Sequence, residues 1–212
     1  MQLASNSFND NSAIPAEYAF CAPDAALHCT LGANRNPHLS WRDVPAGAKS
    51  LVLICHDADV PSKPDDVNQE GRIVPATLPR VNFFHWVLVD VPPQMGEIAA
   101  GTFSGEVTVR GKAGPHVPHD PHGARQGIND YTQWFAADKD MSGDYFGYDG
   151  PCPPWNDSIV HHYVFTLYAL DVHQCDVSGK FTGTDVRNAI KGHVLAEATL
   201  TGLYTLNPAV TI

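Results

Sequence analysis

The chain has 212 residues, 43% of them hydrophobic, with 17 Gly, 17 Pro and a formal charge of −10. That length buries one substantial core as a single domain over residues 1–212, and the Gly and Pro content favours turns over long helices, which disfavours an all-helical fold. None of the 13 Lys and Arg residues cluster, so nucleic acid is excluded as a general partner while a local anion site remains open.

No run reaches the ~18 apolar residues that a membrane-spanning helix needs. The N-terminus, Met1-Gln2-Leu3-Ala4-Ser5-Asn6, has neither the basic start nor the apolar segment of a signal peptide, so a cytoplasmic location is expected. The five cysteines, Cys21, Cys29, Cys55, Cys152 and Cys175, are odd in number and lack Cys-x-x-Cys spacing, and free thiols are expected. Cys152 has no neighbouring cation to lower its pKa and is expected to pack rather than react.

In chain order, turn chemistry over 7–15 precedes a short strand at Tyr18-Ala19-Phe20-Cys21. Residues 34–47 read as a loop pinned by Leu39 and Trp41. Strands follow at 49–56 and 81–91, separated by a polar loop over 62–80 whose Lys63, Asp65, Asp66, Glu70 and Arg72 read as solvated charges. The first strand ends in His56-Asp57-Ala58-Asp59-Val60-Pro61, so two carboxylates fall where a buried strand gives way to a proline-stopped loop. The second carries His85 in its middle, and a lone histidine there ordinarily reads as a satisfied core residue. Glu106-Val107-Thr108-Val109-Arg110 alternates as a half-exposed strand does.

The segment 111–150 is the least regular. His116, His119 and His122 recur every three residues, yet the interspersed prolines supply no helical face, which disfavours a metal site. Asp138-Lys139-Asp140-Met141-Ser142-Gly143 with Asp149 imitates a calcium loop, but the final Glu is replaced by Asp and flanking helices are not evident. Asn156-Asp157-Ser158 matches a glycosylation acceptor that only a secreted eukaryotic product would use.

Gly150-Pro151-Cys152-Pro153-Pro154 is stiff and cannot extend a ladder, so it is expected to wall the mouth of the strand that begins at His161. On that strand His161 and Tyr163 share a face, continued inward by Phe165, Leu167 and Ala169, while His162 faces away. Thr184-Asp185 is expected to cap a helix bearing Val186, Ala189, Ile190, Val194 and Leu195, and 198–204 to form a last strand. Several short strands, loop-rich connections and one late helix indicate a mainly β fold, an antiparallel β-sandwich.

These stretches resemble, in order, the motifs of the phosphatidylethanolamine-binding protein family, the Raf kinase inhibitor-like proteins, and their bacterial branch most closely. The matching segments are Asn34 to Gly47, Asp57-Ala58-Asp59-Val60-Pro61, His85-Trp86-Val87, Gly150 to Pro154 with His161-His162-Tyr163, and Gly192-His193-Val194-Leu195-Ala196. Ala58 and Val60 stand where the family has Pro and Ala, Asn156 where a Gly is usual, and His162 where Arg is usual. The resemblance implies a large central sheet with a smaller sheet and a C-terminal helix. It also implies a surface pocket for phosphate-like anions or phospholipid head groups, lined by Asp57, His85, His161 and Tyr163 with Gly150, Pro153 and Pro154 at its wall, and it allows regulation of a kinase or protease. Two imidazoles and a phenol are donors suited to anionic oxygens, and Asp57 fits if it holds one histidine in place.

No cofactor and no resident metal are expected. The alternative is a hydrolase, either metal-dependent or acid/base, because Asp57, His85 and His161 are the ligand types of a two-histidine, one-carboxylate site. The absence of Gly-x-Ser-x-Gly, His-Glu-x-x-His, Gly-x-Gly-x-x-Gly and phosphate-loop motifs favours binding without catalysis.

Overall fold

Three long β-branched and aromatic runs form the centre of the computed structural model, which describes residues 1–117 and 123–212. The strands in chain order are β1 (Gln2–Ala4), β2 (Ser12–Ala13), β3 (Cys21–Asp24), β4 (His28–Leu31), β5 (Leu39–Arg42), β6 (Ser50–Pro61), β7 (Arg80–Val91), β8 (Glu97–Ile98), β9 (Arg125–Gln126), β10 (His161–Leu170) and β11 (Val194–Tyr204). The helices α1 (Tyr131–Trp134) and α2 (Gly183–Ala189) are short. A six-stranded sheet runs β2-β11-β10-β6-β7-β9, a three-stranded sheet runs β1-β5-β8, and β3 and β4 form a separate hairpin. All pairings are antiparallel except β11 with β2. The fold is the mainly β arrangement expected.

The large sheet is buried on both faces, which explains its near-continuous apolar sequence. One face sends Leu51, Leu53, Cys55, Trp86, Leu88, Phe165 and Leu167 into a core shared with Leu39, Trp41 and Ile98 of the smaller sheet. The other sends Val52, Ile54, Val87 and Val89 against Phe181, Val186 and Ile190 around α2. Helix α2 begins with a capping box in which Thr182 Oγ1 accepts from the Asp185 N–H and the Asp185 carboxylate accepts from the Thr182 N–H at 2.8 Å.

Several expectations are corrected. Residues 16–18 form a 3-10 turn and the first hairpin strand begins only at Cys21, because Pro15 and the bond from the Ala19 N–H to the Ala16 carbonyl close a turn there. Strand β6 carries Asp57 and Asp59 within it and runs on to Pro61, pairing with β7 down to Arg80. The segment 106–110 is not a strand; asparagine side chains hold this part of the chain instead, with Asn34 Nδ2 donating to the Glu106 carbonyl and Asn36 Oδ1 accepting from the N–H groups of Phe103 and Ser104. Helix α2 stops at Ala189. Gly192, at φ +85°, turns the chain so that Val194 and Leu195 open β11 as exposed residues.

The thiol reading also fails for two of the five cysteines. Cys21 and Cys152, 131 residues apart, form a disulfide with a Cα–Cα distance of 4.8 Å, leaving Cys29, Cys55 and Cys175 free. Spacing carries no trace of this bond, because its partners meet only when the hairpin folds beside the proline loop. Of the histidine-rich stretch, His119 and His122 lie outside the described residues, while His116 forms an isolated bridge with Arg125. In the calcium-like loop, Asp138 accepts from the N–H groups of Asp140 and Met141, and Asp149 is turned inward, where Asn34, Lys112 and Asn129 bind its carboxylate. No cluster of three or more His, Cys, Asp or Glu side chains suited to a metal ion occurs among the described residues.

Candidate functional site

The register of the large sheet assembles the site. Asp57 lies directly opposite Tyr163 on β10 and Phe83 on β7, so all three side chains share one face. His161 joins them from two residues before Tyr163. His85 arrives by a different route: the β6–β7 register shifts between Cys55 and His56, opposite Trp86 and Phe84 respectively, leaving His85 as the extra residue of a β-bulge. Phe84 packs in the core around α2 while His85 and Trp86 both point to the other face. Strict alternation would have sent His85 and Trp86 to opposite sides.

Together with the proline loop, these residues surround an open cavity of about 460 Å³. Asp57, His85, Pro153, Pro154, His161 and Tyr163 all line it, and Gly150 does not. Gly150 instead sets the position of the wall. A Cβ there would collide with the Tyr18 carbonyl oxygen, while its N–H donates to Asn34 Oδ1 at 2.8 Å and its carbonyl accepts from the Tyr131 hydroxyl at 2.8 Å. The remaining lining is predominantly apolar: Phe20 and Leu31, the Cys21–Cys152 disulfide, Val60, Pro61, Pro64, Val67, Phe83, Tyr131, Trp134, Phe135 and Met141, with Asn68 among them. The loop over 62–80 contributes Pro64, Val67 and Asn68, and buried Asn156 organises it by donating to the carbonyls of Asp66 and Arg72 and accepting from the Asn68 N–H.

The floor is electrostatically closed on one side. His161, fully buried, bonds Asp57 Oδ2 through Nδ1 at 2.7 Å and Asp157 Oδ2 through Nε2 at 3.1 Å. Two carboxylate acceptors require two N–H groups, so the ring is an imidazolium. Burial opposes that charge, but the hydrogen bonds to Asp157 and Asp57 outweigh it and raise the His161 pKa to about 9. Asp57 and Asp157 are held below the usual carboxylate range in return, burial again being overcome by the bonds to His161. Arg80 completes the chain with a bidentate pair to Asp157, Nη1 at 2.5 Å and Nη2 at 3.0 Å. Asp57, His161, Asp157 and Arg80 thus sum to zero charge.

His85 is different in kind. Its Nδ1 lies 2.8 Å from the Asp149 carbonyl oxygen, which can only accept, so Nδ1 bears the proton. Burial lowers its pKa despite the nearby Asp57 carboxylate, which keeps the ring neutral with a bare Nε2 that makes no bond within the protein. The rings of Phe83, Tyr131 and Tyr163 pack around it with centroids at 4.9, 5.6 and 5.0 Å. The Tyr163 hydroxyl is sealed from solvent and faces the Asp57 carboxylate without a bond of ordinary geometry, and burial, the Asp57 charge and this contact raise its pKa well above the ordinary value. Asp59 and His162 stand outside this cavity and bond each other at 2.8 Å on the opposite face, as the alternation of β10 requires.

Stability is therefore expected to depend on pH through His161. Its folded pKa lies above the unfolded value of 6.5, so the contribution is complete below pH 6.5 and is lost as pH rises through about 9. The unfolding free energy should fall between pH 6.5 and 9 at up to ~1.4 kcal/mol per pH unit, the slope of one proton, and His161→Gln should flatten that dependence in urea denaturation.

Sequence reasoning missed Asp157, Arg80 and Asp149. Asp157 sits four residues before His161 in a segment read only for glycosylation, and Arg80, which opens β7, was read as the last residue of the polar loop. The one available signal was that an Asp–x3–His spacing beside a strand mouth places a second carboxylate near the ring.

Comparison with known proteins agrees with this architecture. The family model described as phosphatidylethanolamine-binding protein matches residues 4–205. A UPF0098 protein of Methanothermobacter thermautotrophicus is 36% identical over 204 residues, 96% of this chain and 98% of its own, and the UPF0098 protein YbhB of Escherichia coli K12 is 30% identical over 97% and 100%. Among solved structures, the phosphatidylethanolamine-binding protein homologue CT736 of Chlamydia trachomatis superposes with a TM-score of 0.63 at 28% identity, covering 96% of this chain and 95% of that one. E. coli YbcL superposes with a TM-score of 0.65 at 25% identity, covering 96% and 97%. The chain belongs to the phosphatidylethanolamine-binding protein family, in the company of its bacterial and archaeal members.

Proposed function

We propose that the cavity binds a phosphate-bearing small molecule or phosphoethanolamine-type head group whose remainder is apolar, and that it does so without turnover. The observation that carries this reading is the bare Nε2 of His85 at the floor of an otherwise apolar cavity that Asp57, His161 and Tyr163 also line. Polar groups in a protein interior are ordinarily paired, so an imidazole nitrogen left without a bond in a cavity wall is a partner held for a ligand. The Cys152 N–H, between Pro151 and Pro153 in the same wall, also makes no bond within the protein. Apolar walls then take the substituent.

Catalysis by Asp57, His85 and His161 is disfavoured by the same geometry. Both nitrogens of His161 are held by carboxylates, so the ring can neither accept a proton nor ligate a metal without losing a proton and breaking a buried bond. Any kinase or protease regulated by the protein would meet the rim of this mouth, where Leu31 and Trp134 are 59% and 51% exposed, and its capture should change when the cavity is filled. No helix among the described residues is long and apolar enough to cross a membrane. A cytoplasmic setting stands against the Cys21–Cys152 bond, since reducing compartments keep such bonds open; trapping thiols at lysis reads the outcome directly.

Calorimetric titration with hexyl phosphate tests the function. Binding is expected in the wild type and about 10- to 100-fold weaker in His85→Leu, the loss of one hydrogen bond to a charged group. No heat of binding up to about 10 mM, the regime of about −3 kcal/mol, would remove the reading.

A further inference from the structure

We propose that the outer edge of β11 is a docking site for an extended acidic polypeptide segment, which joins the large sheet as a further antiparallel strand. The site lies at the end of β10 and β11 away from the cavity and does not rest on the phosphate reading. β11 borders β10 along its whole length on one side, but on the other it pairs only with β2, at Gly202 and Leu203. Along an antiparallel strand the backbone groups face the partner and the open side alternately. Thr201 fixes the phase: its N–H donates to Asp10 Oδ1 at 2.8 Å and its carbonyl accepts from the Asn11 N–H at 2.7 Å, both away from β10. Glu197 and Thr199 share that phase, so their N–H and carbonyl groups also point outward, and among the described residues nothing bonds them. At the other end the Asp171 N–H donates to the His193 carbonyl, which turns Val194 outward, and a bulge at Leu195 joins the two phases. Residues 10–13 therefore close the edge from Thr201 onward and leave 194–199 bare.

Open sheet edges are ordinarily blunted by charge, proline or a covering loop. This stretch instead carries Val194 and Leu195, 39% and 46% exposed, with Glu197 its only charge. Leu195 also adjoins an open groove: a Cβ on Gly47 would lie 3.6 Å from its Cδ1, and the neighbours of Gly47, Val44, Pro45, Ala48 and Lys49, line that groove. The local charge names the occupant. Lys49 is fixed here by the bond from its N–H to the carbonyl of Leu170, which lies opposite Val194, and Lys191 stands in the turn before β11. Neither ammonium has an acidic partner among the described residues, and Lys191 Nζ bonds only the Asn188 side-chain oxygen. Unpaired cations beside a bare edge, on a chain of net charge −10, select an acidic segment, whose C-terminal end meets them when it runs antiparallel to β11. A second copy is a poorer occupant. Its β11 would bring its own residues 10–13 along the shared edge into the turn at 191–193, and its net charge opposes the contact.

Two peptides test this on the full chain, acetyl-Thr-Val-Thr-Val-Glu-Asp-amide and the same peptide ending in Lys-Lys, with amide hydrogen exchange read by NMR. In the free protein the N–H groups of Val194, Glu197 and Thr199 should exchange as open backbone does. With the acidic peptide at about 1 mM they should slow at least about 10-fold, the protection that a Kd of about 100 μM gives, while Thr201, already bonded to Asp10, keeps its rate. Lys191→Glu changes an exposed side chain and should weaken the acidic peptide about 5-fold while strengthening the lysine peptide. Unchanged exchange at all three amides with the acidic peptide at about 1 mM overturns the docking site. Equal affinity for the two peptides overturns its preference for acids. Slow exchange in the free protein that quickens on dilution places a second copy on the edge and overturns the proposal as well.

Discussion

Asp157→Ala is expected to lower the unfolding free energy by about 3–5 kcal/mol, a large fraction of the stability of a domain of this kind. Asp157 is 1% exposed and joins two cations, the Arg80 guanidinium and the His161 ring, which are themselves 12% and 0% exposed. Removing the carboxylate leaves a buried guanidinium whose Nε is already without a partner and an imidazolium held by Asp57 alone. The cost is that of stranding charge in a low dielectric, which exceeds the net worth of the intact pair. His161 can shed its proton, and the pH dependence of stability through about pH 9 should shrink in the variant for that reason. Asp157→Asn, which keeps an acceptor and loses the charge, should cost less. Urea denaturation followed by tryptophan fluorescence measures both, and a loss below about 1 kcal/mol for Asp157→Ala would show that the network is not buried as described.

Opening the Cys21–Cys152 disulfide is the second large effect. The bond closes a loop of 131 residues, and the chain entropy it removes from the unfolded state scales with that length, giving about 4–5 kcal/mol before any relaxation and 2–5 in most native cases. Cys152→Ser should therefore lower stability by about 2–5 kcal/mol, and a reductant should lower the wild type by a similar amount while leaving the variant unchanged. Because the disulfide fastens the β3–β4 hairpin to the proline loop and lines the cavity, ligand affinity should fall with it. Equal midpoints for wild type with and without reductant would contradict the bond.

What could be read from the sequence was whatever the chain encodes locally. Asp57, His161 and Tyr163 lie at the mouth ends of uninterrupted apolar runs, so strand periodicity alone puts the last two on one face and His162 on the other. Their convergence with Asp57 and His85 came from the family resemblance, and the register of β6, β7 and β10 supplies the physical reason. His85 reaches the cavity only through a bulge, a departure from period two that no residue pattern announces. Asp157, Arg80 and the Asp149 carboxylate were missed because each is defined by partners on distant segments: Asp157 by a residue 77 positions away, Asp149 by Asn34 115 positions away. The calcium-like loop shows the same lesson inverted, since its spacing was right and its final carboxylate was already engaged by Lys112 and two asparagines. The disulfide falls in this class too. Cysteine arithmetic counts thiols; it does not see that a hairpin and a proline loop fold side by side.

The site that results is neutral overall yet unevenly equipped, with a locked imidazolium and a bare imidazole nitrogen beneath apolar walls. Long-range proton–nitrogen spectra of the imidazole rings during a titration with hexyl phosphate test that arrangement most directly. The account predicts that the Nε2 resonance of His85 starts as an unprotonated, unbonded nitrogen and moves on saturation, while His161 keeps two protonated nitrogens throughout and the rings of His28 and His162 stay where they were. Movement of the surface histidines with His85 unchanged, or a His161 ring with one bare nitrogen, would contradict it.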